Sequence, residues 1–366
     1  MKKYDFIVVG GGLAGLSFAI LSAKKGYQTL VIEKQNYPRQ KVCGEYISNE
    51  SLGFIKSLGL NLDILGLPNI SKFVLTTQYG QKAKTNLKMG GFGISRYLLD
   101  ELLFKKAEHL GVEFILETKV NTIEENGHCF NVKTSNNETF QCQWAIASYG
   151  RISGIEKQKP IAKTFIGVKY HIDKGPASDT IEIHNFEGGY CGISEVENGA
   201  FNLCYLAKTS VYKSYGNIKA FEENILSKNP FLKERLKAEK LFEPILTSQI
   251  AFGTNSPSNY LLLGDAAGFI PPITGNGMSL AFRSANELLE NLEFANGFPQ
   301  EANLLERNKD YITNYLTGRV NKGIFLQKLL FVPNKAFNKT LLWTLINVPG
   351  LMKILTQQAV GKTIKP

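Results

Sequence analysis

Cysteine, histidine, methionine and tryptophan are all scarce in this chain of 366 residues, at 5, 4, 4 and 2 copies. The cysteines, at positions 43, 129, 142, 191 and 204, form no CxxC pair and are odd in number. That argues against a disulfide framework and fits a reducing cytoplasm. The histidines show neither HxH nor HExxH spacing, so no metal site is expected. No apolar run reaches the roughly 20 residues of a membrane span. The stretch from Met1 to Ala23 superficially resembles a secretory signal, but it carries a glycine motif where a buried strand and helix need one, and it reads as part of the fold. Low-complexity runs and internal repeats are absent.

Acid is missing from one end. After Asp310 the chain holds Arg319, Lys322, Lys328, Lys335, Lys339, Lys353, Lys362 and Lys365 and no carboxylate, so much of the net charge of +10 sits there. The same region is apolar, with Ile324-Phe-Leu and Leu341-Leu-Trp-Thr-Leu-Ile. Two readings stand: helices packed on the body with lysines solvated outward, or a surface that meets anionic lipid or an anionic carrier. Nucleic acid is not an expected partner, because no helix-turn-helix, zinc finger or RNA-binding motif accompanies the charge. With 43% hydrophobic and 20% charged residues, the remainder has the balance of a globular enzyme large enough for two domains.

Phe6 to Val9 reads as a buried strand and Leu13 to Lys25 as a helix, separated by Gly10-Gly-Gly-Leu-Ala-Gly15. Gly10 allows the tight turn, Gly12 lets a pyrophosphate approach the backbone, and Gly15 lets helix and strand pack closely. Gly11, Leu13 and Ala14 complete the loop and first helical turn, whose positive end receives phosphates. A second strand, Thr29 to Ile32, delivers Glu33 and Lys34 about 20 residues on, where a carboxylate can hold the adenosine ribose. Some 250 residues later, Leu261-Leu-Leu-Gly-Asp265 reads as a strand carrying an acid at its carboxyl end, and a helical pattern resumes near Gly275. Asp265 can hold a ribityl hydroxyl, and the new helix N-terminus can stabilise charge on a reduced isoalloxazine. Together the two segments point to FAD. A second GxGxxG, and with it a nicotinamide domain, is lacking.

These motifs, with Tyr37-Pro-Arg-Gln-Lys-Val-Cys-Gly-Glu45 and Ile94-Ser-Arg96, resemble the flavoprotein superfamily of geranylgeranyl reductases, aromatic hydroxylases and flavin-dependent halogenases. The Pro38 to Glu45 segment is most similar to geranylgeranyl reductases. The resemblance implies that Arg96 faces the cofactor, that Val120 meets the adenine through its backbone, and that Lys41, Cys43 and Gly44 line the flavin pocket. It also implies that Pro272, Gly275, Gly277 and Met278 approach the isoalloxazine. Arg96 also fits an ordinary surface helix position, and Cys43 a small packed apolar one. Where hydroxylases carry an Asp-Gly pair, this chain has Tyr149-Gly150-Arg151, so reduction by NADPH in the hydroxylase manner is put in doubt. The tryptophan-rich halogenase segment has no counterpart.

Between Lys163 and Ala207 the pattern alternates with period two, as in strands. His171 and His184 are proton-transfer candidates if their face meets a cavity, and surface histidines if it meets water. Tyr190, in a glycine-flanked strand, either approaches a ligand or marks a bulge. The expected fold is α/β, a Rossmann-like FAD-binding domain (1–70, 92–160, 245–297) with an inserted β-sheet substrate domain (71–91, 161–244) and a C-terminal helical segment (298–366). The expected activity is FAD-dependent oxidation or reduction of an apolar small molecule, isoprenoid-like or polyketide-like, by hydride transfer, with NAD(P)H as one external donor. The rivals are a monooxygenase working through a flavin hydroperoxide, and a flavin-bearing electron-transfer or membrane-docked partner protein.

Overall fold

The computed structural model describes residues 2–151, 155, 165–255, 258–290, 294–295, 298–299, 301–330, 335–348 and 350–365. Lys163, Ser153 and the domain boundaries expected near 160 and 297 lie outside them.

Phe6, Ile7 and Val8 are fully buried, as are all four residues of Thr29–Ile32, which is the pattern of strands covered on both faces. They form a sheet in the order Glu113–Ile115, Thr29–Ile32, Lys3–Val9, Thr139–Ala147, Cys129–Thr134, Val120–Asn126, with Leu261–Leu262 also paired to Thr139–Ala147. The first four and Leu261–Leu262 run parallel. Their carboxyl ends therefore bring Gly10, Glu33, Ser148 and the Gly264-Asp265 turn to one edge, the place where such sheets bind ligands. The helices Leu13–Lys24 and Gly277–Glu290 pack against each other, and Arg96–His109 packs on the first.

A second sheet has the order Ile245–Ile250, Phe165–Ile172, Phe201–Lys208, Gly189–Glu195, Thr180–Phe186, Asn69–Thr76, Lys82–Gly93, Tyr46–Ser48. Its two faces are both covered. Short helices Ile218–Asn224 and Pro230–Arg235 pack on one, with Val168, Tyr170, Cys191, Tyr205 and Phe221 in the core. The other face carries Phe165, Ile183, Tyr190 and Leu206 and turns toward the nucleotide sheet, where a Cβ at Gly167 would lie 2.9 Å from Val42 Cγ1.

The C-terminal helices Lys335–Asn347 and Leu351–Ala359 lie against the strand Lys82–Gly93. The chain end then returns to the body: Ile364 N–H donates to Glu50 O at 2.9 Å, and Asn286 Nδ2 donates to Lys365 O at 3.1 Å. All five cysteines are free. Among the described residues, no helix is long and apolar enough to cross a membrane.

Candidate active site

The first glycine loop is shaped by contact distance. Gly10 has φ +107°, and a Cβ there would fall 2.6 Å from Ser148 O. A Cβ at Gly15 would fall 2.2 Å from Gly10 O and 2.4 Å from Ser148 Oγ, so only glycine lets the helix sit on the strand. Gly12 differs: the nearest atoms to its Cβ position are Lys41 Nζ at 3.6 Å and Arg96 Nη2 at 4.0 Å. Two cations thus stand before the open backbone at the start of Leu13–Lys24, whose first residues Leu13 and Ala14 are buried. A diphosphate fits that donor set. Burial, then repulsion from Arg96, pushes the Lys41 ammonium down to about 8. Arg96 is fixed by a bidentate pair with Asp100, at 2.6 and 2.7 Å.

Glu33 is placed at the end of its strand but already accepts hydrogen bonds. Gly11 N–H donates to its Oε2 at 2.7 Å, Gln35 N–H to its Oε1 at 3.0 Å, and Arg39 Nη2 lies 3.2 Å away. A carboxylate has about four acceptor sites, so one ribose hydroxyl can still be held. Gly11 O accepts from Tyr37 Oη at 2.5 Å and Arg39 Nη2 at 2.9 Å, and the Tyr37 ring stacks on Phe104 at 4.4 Å. Lys34 is exposed, and Val120 is buried at the start of its strand.

The second glycine segment touches the first. Gly264 has φ +56°, and a Cβ there would lie 2.9 Å from Ala14 Cβ. Burial raises the Asp265 carboxyl above its ordinary range, while Arg151, Lys41 and Arg96 draw it back. Arg151 sits 4.8 Å over the Phe269 ring. Arg151, just after the Tyr149-Gly150 pair that stands where hydroxylases carry Asp-Gly, therefore brings a cation toward Asp265. Pro272 is exposed, and Gly275 has φ +66° beside Tyr46. Gly277 and the buried Met278 open a 14-residue helix whose N-terminus lies in this segment.

Between these ends runs Pro38 to Glu45. Cys43 is half-buried, and its carbonyl accepts from Asn202 Nδ2 at 3.1 Å; Gly44 is exposed. Glu45, at φ +54° and fully buried, binds Lys169 Nζ at 2.5 Å, His171 Nε2 at 2.7 Å and the Arg96 N–H at 2.7 Å. Lys169 also donates to Gln40 Oε1 at 2.7 Å. This network rivets the segment to the second sheet and sets His171 on the cofactor side, packed against Phe242. Neither candidate histidine is a surface residue.

His184 belongs elsewhere. The register puts it opposite Cys191, in the helix-covered layer, while His171 aligns through Asn202 with Ser194 on the other face. His184 bonds Thr76 Oγ1 at 2.7 Å and Glu182 at 3.2 Å, and Glu182 is paired with Arg235 at 2.9 Å. Proton transfer to a bound substrate is therefore withdrawn for His184: one residue of register separates the faces. Tyr190 stays on the cofactor side, buried with Phe165, Ile183 and Leu206. That apolar cluster also takes in Phe269 and Ile273 of the flavin-end loop and Leu345 and Met352 of the C-terminal helices.

Tyr37, Arg39, Glu45, Lys169 and Arg151 were not singled out as site residues by sequence reasoning. The first three lie in the segment that carries the family resemblance, Lys169 shares the alternation that marks His171, and Arg151 stands in the Tyr149-Gly150-Arg151 segment, so each had a signal.

The profile of the FAD binding domain matches residues 3–236. A digeranylgeranylglycerophospholipid reductase of Methanococcus vannielii is 25% identical over 76% of this chain and 74% of its own length. Among solved structures, a geranylgeranyl bacteriochlorophyll reductase-like protein of Thermoplasma acidophilum superposes with TM-score 0.75 at 20% identity, covering 98% of this chain and 97% of that one. The flavin-dependent brominase Bmp2 has TM-score 0.75 at 18% identity, covering 98% and 93%. At these identities the structural likenesses show a shared fold.

Proposed function

The chain belongs to the FAD binding domain family, and we propose that it is an FAD-dependent oxidoreductase that saturates or desaturates a carbon bond in an apolar, isoprenoid-like or polyketide-like molecule. The observation that carries this reading is the apolar layer of Phe165, Ile183, Tyr190 and Leu206 set against Phe269 and Ile273 of the flavin-end loop. Such a layer excludes water and selects by shape and hydrophobicity. The reductase name of the Methanococcus relative supports an isoprenoid-like substrate.

When bound, FAD supplies hydride transfer. The Leu13–Lys24 helix N-terminus, Lys41 and Arg96 would hold its diphosphate, Glu33 its ribose, and Asp265 its ribityl chain. The N-terminus of Gly277–Glu290 would favour negative charge on the ring. His171 would pass a proton on the substrate side, a role that its bond to Glu45 supports. Tyr149, in place of the acid of the Asp-Gly pair, supports a reductase over an NADPH-reduced hydroxylase.

The test uses the FAD-loaded full chain, reduced with dithionite without oxygen and mixed with a geranylgeranyl-bearing phospholipid. Flavin reoxidation together with a more saturated lipid, seen by mass spectrometry, is expected. A flavin that stays reduced until oxygen is admitted, with an oxygen-bearing product, overturns the reading in favour of a monooxygenase.

A further inference from the structure

A helix in a water-soluble protein ordinarily buries one apolar face and wets the other. Lys335–Asn347 and Leu351–Ala359 do otherwise. Their inner residues Leu341, Leu345, Leu351, Met352 and Leu355 join the apolar cluster beside the flavin-end loop. Yet Trp343 is 60% exposed, Ile354 52%, Val348 43% and Ile346 42%. Lys339, Trp343 and Ile346 follow i, i+4, i+7 spacing and so share one outer face; Lys353 is exposed next to Ile354. The pair is apolar on both sides and basic at its margins.

We propose that this outer face docks on an anionic lipid bilayer, with Trp343, Ile346, Val348 and Ile354 inserted at the headgroup boundary and Lys339 and Lys353 at the phosphate level. Aromatic and aliphatic side chains flanked by lysines are the composition of an in-plane interfacial helix. Charge decides between a membrane and a second copy of this chain. Residues 311–366 contain eight Lys or Arg and no Asp or Glu, so a two-fold contact between copies would set lysine against lysine, whereas anionic headgroups complement it. Because the inner face of the same helices borders the proposed substrate layer, an apolar substrate leaving the bilayer would meet protein before water. Only that last step rests on the proposed function.

Docking is tested without turnover, by sedimenting the FAD-loaded full chain with phosphatidylglycerol–phosphatidylcholine vesicles and with phosphatidylcholine alone. Binding to the anionic vesicles, weakened by salt, and a blue shift of Trp343 emission over the constant signal of the buried Trp144 are expected. Trp343→Ser with Ile354→Ser, both at exposed positions, should weaken binding by about tenfold or more while leaving the melting temperature and flavin absorbance unchanged. Three results would overturn the proposal: no binding to anionic vesicles, equal binding by the double variant, or a dimer in sedimentation equilibrium that the double variant abolishes in place of vesicle binding. A protein that docks but fails to saturate the lipid sinks the proposed reaction and leaves docking standing.

Discussion

The two faces of the second sheet hold ionic networks of similar make and different consequence. On the cofactor side, Glu45 gathers Lys169, His171 and the Arg96 N–H, tying the Pro38 to Glu45 segment to the sheet. On the helix-covered side, Glu182 gathers His184 and Arg235, tying Pro230–Arg235 to the same sheet. Both contain a carboxylate, a histidine and a cation. Only the first lies beside the proposed cofactor and substrate, so the proposed chemistry falls to one network and stability to both. A buried ionic cluster by itself marks no active site; its place relative to the glycine segments does.

The largest expected effect is at Glu45. Glu45→Gln removes the carboxylate that pairs with the fully buried Lys169 and leaves neutral oxygens, Gln40 Oε1 among them, and the Phe242 ring around its Nζ, so chemical denaturation should show a loss of about 3–5 kcal/mol. Adding Lys169→Met should recover most of it, since the pair removed together leaves no orphaned charge. Equal stability of Glu45→Gln and the parent would break the comparison at its root. Next, Lys41→Gln should weaken FAD binding about tenfold by fluorescence titration. Lys41 is a cation below about 8, so parental affinity should fall as pH rises through that value. The variant should show no such step.

On the other face, burial lowers the His184 pKa from its usual 6.5. The unfolded chain therefore takes up the proton first, and this contribution is complete above 6.5 and lost as pH falls through it. Burial opposes ionisation of Glu182, but bonds from His184 and Arg235 hold its carboxyl down at about 2. Its contribution is present above 4.5 and lost between 4.5 and about 2. Melting temperature against pH should thus decline on the acid side in two stages. His184→Gln should remove the first stage without changing turnover, whereas His171→Gln should change turnover. The smallest effect is at Tyr170, whose hydroxyl donates to Glu222 at 3.0 Å on the helix-covered face. Tyr170→Phe should cost about 1 kcal/mol in denaturation with unaltered FAD affinity.

Much of this was legible in the chain. The strand, glycine loop, helix and Glu33 fell where spacing placed them, because two of the glycines answer local contacts: Gly15 against Gly10 O and Ser148 Oγ, and Gly10, at φ +107°, against Ser148 O. The helix Gly277–Glu290 was visible from its periodic pattern instead. His171 and His184 looked equivalent, because alternation within a strand says which residues share a face and not which face meets the cofactor. That depends on pairing Phe165–Ile172 with Phe201–Lys208 and the latter with Gly189–Glu195. The tail divided likewise: its charge and hydrophobicity were plain, but which apolar residues turn inward was not.

By itself, then, the sequence determined the FAD-binding fold, since close backbone approach, buried parallel strands and helix starts are local demands that glycine and β-branched residues meet or fail. The tertiary structure alone decided that Lys169 reaches Glu45, that His184 lies on the opposite face from His171, and that Trp343 is exposed. Those outcomes depend on sheet register and on contacts between residues more than 100 positions apart, such as Glu45 and Lys169, and no local pattern encodes them.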